Sequence, residues 1–129
     1  MQISSTAISL NVADVEASAR FARDHFGFSE TMSADGFISL EHPTAGVNVI
    51  FLRTGLETFK PVEVAGSAGQ GMLLVFVVDD LDAEFDRIAA AGARVVTRPE
   101  TEPWGERYCQ FADENGLVWQ LVNWVTPST

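Results

Sequence analysis

The sequence predicts an α+β fold built from two tandem βαβββ units. Three observations carry this: short runs that alternate apolar and polar residues, two amphipathic stretches each preceded by aspartate, and the same order of elements in both halves of the 129 residues. Thr6 to Val12 alternates, with Ile8, Leu10 and Val12 against Ser9 and Asn11, as a half-buried strand does. Asp14 then supplies an N-cap, Val15, Ala19, Ala22 and Phe26 follow at helical spacing, and Gly27 stands where a helix ends. Two apolar runs split by the Ala34-Asp35-Gly36 turn, and Val47 to Leu52 after Pro43 to Gly46, give three more strands.

The second half repeats this order. Leu73 to Val78 reads as a strand, Asp79 or Asp80 caps a helix with Leu81, Phe85, Ile88 and Ala89 on one face, and Gly92 stops it. Ala93 to Thr97, Glu106 to Ala112 and Leu117 to Val125 complete the unit, the last two joined by the tight turn Asp113-Glu114-Asn115-Gly116. Val12-Ala13-Asp14-Val15 aligns with Val78-Asp79-Asp80-Leu81, and Gly27 with Gly92, so the halves read as an internal duplication. One domain over 1–129 is expected, with units at about 5–53 and 71–125. The Gly- and Pro-containing stretch 54–70 between them is long for a linker. It reads as a loop over a site, as a hinge through which halves exchange between subunits, or as a tether.

Composition excludes several classes. Eight Lys plus Arg against eighteen Asp plus Glu give a net charge of −10, which repels phosphate backbones and anionic lipid and attracts cationic small molecules. Acidity is also a common means to solubility. The longest apolar run, Gly71 to Val78, is about half a membrane span, and the N-terminus lacks a signal-peptide pattern, so a cytoplasmic protein is expected. Cys109, the single cysteine, has no partner for a disulfide and reads as a small buried residue rather than a nucleophile. No phosphate-cradling glycine loop and no Gly-x-Ser-x-Gly elbow occurs.

The tandem units, the Asp-capped helices, and the stretch Pro103-Trp104-Gly105-Glu106-Arg107-Tyr108 through Phe111-Ala112-Asp113-Glu114-Asn115-Gly116 together resemble the glyoxalase/bleomycin-resistance (vicinal oxygen chelate) superfamily. The resemblance implies curved mixed sheets around a cleft, helices on the outer faces, and a homodimer with the cleft at or near the subunit interface. Metalloenzymes of that family use His, Glu or Gln ligands from the first and fourth strand of each unit. The equivalent positions fall on Ala7, Phe51, Leu73 (Met72 with a one-residue slip) and Gln120. Three of the four have no lone pair to offer, so no metal and no other cofactor is expected. His25 reads as a helix-end residue and His42 as a turn residue beside Pro43.

A cleft floored with Ala7, Phe51 and Leu73 suits flat organic molecules, and the resemblance then runs to the metal-free antibiotic-binding branch. That branch sequesters bleomycin, mitomycin or enediyne-type compounds unchanged. Ligand-binding candidates are Trp104 from the Trp-Gly motif, Phe51 and Gln120 at former ligand positions, and, by strand parity, Val49, Arg53, Val118, Val122 and Trp124. Ser9 shares a face with Ala7; Phe37 or Ile38, and Tyr108 or Cys109, depend on parity; Phe59 depends on the long loop. Each also has a plain reading as core. No catalytic residue is assigned. The alternatives are a metal-independent isomerase, lyase or cyclase using Glu41, Glu106, Tyr108 or Arg53 as acid or base, and a sensing or structural dimer.

Overall fold

The structure, a computed structural model, describes residues 1–125; residues 126–129 of the expected domain lie outside the described residues. Two compact units are present, the first covering Met1–Ala68 and the second beginning at Gly69. Each is a βαβββ unit with one helix and one mixed four-stranded sheet.

In the first unit β1 (Ala7–Val12) is followed by α1 (Val15–Phe26), β2 (Ser29–Ala34), β3 (Phe37–Glu41) and β4 (Asn48–Arg53), and the sheet order is β1-β4-β3-β2. The last strand therefore lies parallel to the first, with Ser9 opposite Ile50 and Leu10 opposite Phe51. Asp14 caps α1 by accepting from the Ala17 N–H at 3.1 Å, and Gly27, at φ +74°, closes it in the left-handed conformation that glycine adopts without a Cβ clash. The apolar face of α1 covers one side of the sheet, which is formed by Leu10, Val12, Ile38, Leu40, Val49 and Phe51, all buried.

The second unit repeats this with β5 (Leu74–Val77), α2 (Leu81–Ala90), β6 (Arg94–Thr101), β7 (Glu106–Ala112) and β8 (Val118–Trp124) in the order β5-β8-β7-β6. Of the two candidate caps it is Asp80 that accepts from Ala83 N–H, at 3.1 Å. The helix stops at Ala91, one residue before Gly92. Strand β6 runs to Thr101, four residues beyond its expected end, because its pairing with β7 extends to Thr101 opposite Arg107. Trp119, Leu121, Phe111 and Cys109 form the helix-covered face, where Phe85 of α2 stacks on Phe111 at 5.5 Å and Arg107 of β7 reaches Asp82 at 2.7 Å. Among the described residues no helix is long and apolar enough to cross a membrane.

Candidate functional site: the sheet faces opposite the helices

Each sheet has a second face, and register decides which side chains it carries. In the second unit Val75 lies beside Gln120, Gln120 opposite Gln110, and Gln110 opposite Thr97, so these four form a row across all four strands. The row is hydrogen-bonded: Thr97 Oγ1 donates to Gln110 Oε1 at 2.7 Å, and Gln110 Nε2 donates to Gln120 Oε1 at 2.7 Å. Gln120 is only 7% exposed, and the chain of bonds leaves its Nε2 as the group with donors to offer. Val77, Val122, Tyr108 and Trp124 share this face, and so do Glu100, opposite Tyr108, and Glu106, opposite Trp124, so the linked amides sit on a face of mixed apolar, aromatic and acidic side chains.

In the first unit the matching row is Ser9, Ile50, Ser39 and Met32. Because Ser9 stands three residues before Val12 as Val75 stands three before Val78, Ile50 is the counterpart of Gln120. This corrects the expected position. Phe51 is 0% exposed and packs with Val49 on the helix-covered side, not on the free face, since a shift of one residue reverses the side of every strand position. Arg53 follows the parity of Phe51 and makes an ion pair with Asp35 at 3.1 Å at the edge of the unit; that bond first, and the charge second, hold the Asp35 carboxyl below its ordinary value. The parities left open in sequence now resolve: Phe37 and Tyr108 lie on the free faces, Ile38 and Cys109 on the helix sides.

Of the other candidates, Ser9 and Phe59 come together in a recess of about 420 Å³ beneath the loop 59–68. Gln120, Val122, Tyr108 and Trp124 share one face, and Val118, opposite Ala112, belongs to it as well. Trp104 is 63% exposed in the turn between β6 and β7, where the Gly105 N–H donates to Glu102 O at 2.9 Å. Sequence reasoning missed Thr97, Gln110 and Ile50, which emerge only once the pairing of β6, β7 and β8 and of β1 with β4 is known.

The former ligand positions do not fit a metal ion. With Ile50 in place of Phe51 the set is Ala7, Ile50, Leu73 and Gln120, one neutral amide among three alkyl groups. Among the described residues no group of three His, Cys, Asp or Glu side chains converges elsewhere. His42 is committed to its turn, where Nδ1 accepts from the N–H groups of Thr44 and Ala45 at 3.1 and 3.2 Å.

Two titrating groups have a defined state. The Tyr108 hydroxyl lies 3.1 Å from Glu102 and 3.2 Å from Glu100; the bond to Glu102 first, then desolvation and the bond to Glu100, push it up to about 12. Tyr108 is therefore a neutral hydroxyl at physiological pH, and it is the only tyrosine in the chain. An alkaline titration followed by tyrosinate absorbance should show a midpoint near 12, shifted toward the free value of about 10 in a Glu102→Gln variant. The sign follows: a hydroxyl whose folded value is raised favours folding below about pH 10, and that contribution disappears as pH rises toward 12. Burial pushes the Cys109 thiol up to about 11, which leaves almost no thiolate at pH 8. Iodoacetamide at that pH should leave native protein unmodified and label it fully once denaturant is added.

Fold and register together define a βαβββ-repeat protein in which each sheet has one side covered by a helix and one side not. A profile of the Glyoxalase/Bleomycin resistance protein/Dioxygenase superfamily matches residues 3–121, and the chain belongs to that family. An uncharacterized protein of Mycobacterium bovis is 37% identical over 67 residues, 52% of this chain and 42% of that protein, so less than half the length of this curated relative is matched. A glyoxalase/bleomycin resistance protein/dioxygenase from Nocardioides superposes with a TM-score of 0.79 at 22% identity, covering 100% of this chain and 88% of that one. TnmS3, an antibiotic binding protein from Streptomyces sp. CB03234, superposes with a TM-score of 0.74 at 24% identity, covering 97% and 99%.

Proposed function

We propose that this protein binds a planar aromatic or polycyclic natural product, of the bleomycin, mitomycin or enediyne type, and withholds it from its target without altering it. The observation that carries this reading is the hydrogen-bonded row ending at Gln120, whose amide is held in a fixed orientation on the face that also carries Val75, Val77, Val122, Tyr108 and Trp124. Apolar and aromatic side chains supply contact area to a flat ligand, while one fixed polar group sets its orientation. The absence of coordinating side chains at three of the four former ligand positions supports binding without a metal ion or other cofactor. The likeness to TnmS3, described as an antibiotic binding protein, supports the same class of ligand. The reading includes a cytoplasmic homodimer in which 1–129 act as one domain.

Titration with daunorubicin and mitomycin C while tryptophan fluorescence is followed should give saturable quenching, and mass spectrometry should recover the ligand unchanged. A chemically modified product would replace this reading with a metal-independent isomerase, lyase or cyclase. Trp104, exposed in the turn between β6 and β7, is expected to contribute: Trp104→Ala should lose about 1–3 kcal/mol of affinity with folding intact. Light scattering of the full chain tests the dimer.

A further inference from the structure

The recess of the first unit has a chemistry of its own. Its floor is Ser9 and Asn11 of β1, and its walls come from Phe59, Glu63, Val64 and Ser67 of the loop. Asn11 is 6% exposed and holds this loop in place: its Nδ2 donates to Val64 O at 3.1 Å and to Gly66 O at 3.2 Å, while its own carbonyl accepts from Ala68 N–H at 2.8 Å. Two carbonyls facing the same amide fix its orientation, since only the NH2 end donates; the atom left to accept is Oδ1.

The lining is therefore rich in acceptors. Ser9 and Ser67 bring hydroxyls, Asn11 an amide oxygen, and Glu63 a negative charge; among the described residues no Lys, Arg or His lines the recess. An ammonium group carries three donors and no acceptor, and is the head group that this set satisfies best. Phe59 adds an aromatic ring that attracts a cation over its face and stacks with a flat substituent. The net charge of −10 favours arrival of cations over anions.

We propose that this recess is a binding site for aromatic primary ammonium compounds, with Glu63 pairing with the charge, Phe59 holding the ring, and Asn11 acting as a positioning residue that keeps the loop in the receptive conformation. The site does not depend on the drug-binding reading above, because all its residues belong to the first unit and the amide row belongs to the second.

The test is an NMR titration of the 15N-labelled full chain with tryptamine and with its neutral counterpart N-acetyltryptamine. Tryptamine is expected to shift the backbone amides of Ser9, Asn11 and Gly66 to Ala68 in a saturable way, and N-acetyltryptamine to bind about fivefold more weakly, the size of a partly exposed ion pair. Glu63→Gln, an exposed position at which folding is not at risk, should abolish the preference for the amine. Phe59→Leu should weaken both compounds. Absence of saturable shifts at these amides, equal binding of the two compounds, or an undiminished preference in Glu63→Gln would each overturn the proposal.

Discussion

Asp113→Ala is expected to destabilise the protein by about 3–4 kcal/mol, as measured by the urea midpoint at unchanged m-value. The carboxylate is 4% exposed and gathers donors from its turn and from β8: Oδ1 accepts from Asn115 N–H at 2.9 Å and Leu117 N–H at 3.0 Å, and Oδ2 accepts from Trp119 Nε1 at 3.1 Å. Alanine would strand two buried donors, Leu117 N–H and the Trp119 indole, at about 1–3 kcal/mol each. It would also free the turn that sets the pairing of β7 with β8, in which the Gly116 N–H donates to Asp113 O at 3.0 Å and Gly116 takes φ +84°. Asp113→Asn should recover part of the loss, since an amide oxygen still accepts from the turn while its nitrogen meets a second donor at Trp119. A change below about 1 kcal/mol in Asp113→Ala would show that water replaces the carboxylate at little cost.

The second large effect concerns the ligand. Gln120→Met keeps the length of the side chain and removes the donors at the end of the row, so daunorubicin or mitomycin C binding should weaken by about 1–3 kcal/mol if the drug lies on this face. Folding should suffer by about 1 kcal/mol, because Gln110 Nε2 loses the acceptor now at 2.7 Å. Thr97→Val separates the two effects: it leaves Gln120 in place and removes the hydroxyl that donates to Gln110 at 2.7 Å. Affinity should then fall less than in Gln120→Met, through poorer orientation of the amide. Unchanged affinity in Gln120→Met would place the drug elsewhere on the molecule.

Much of the architecture is legible in the sequence alone. Asp14 and Gly27 bracket α1 as expected, the repeated Val-x-Asp marks the end of β1 and the start of the helix after β5, and the Asp113 turn joins the strands that it was expected to join. These features are local, set by caps and turn residues within a few positions. The facing of β4 was not legible. Val49, Ile50, Phe51 and Leu52 are apolar on both sides of the strand, so alternation says nothing there, and only the pairing with β3 and the packing of α1 assign Phe51 to the interior. In β8 Gln120 interrupts the apolar run and so marks one side of the strand. Membership of Thr97 and Gln110 in the row depends on hairpin register, and the recess under 59–68 depends on a bond between Asn11 and residues more than fifty positions away. Neither leaves a periodic trace.

The parallel pairing of β1 with β4 and of β5 with β8 has a kinetic consequence. In each unit the segment made last is inserted beside the segment made first, so the sheet cannot be completed by zipping up successive hairpins and must wait for a long loop to close. During synthesis the first repeat has all four of its strands once Arg53 has left the ribosome, whereas the second repeat remains without a central strand until Val118–Trp124 emerges. Truncation from the C-terminus past Val118 should therefore spare secondary structure in the first repeat while denying the second its sheet.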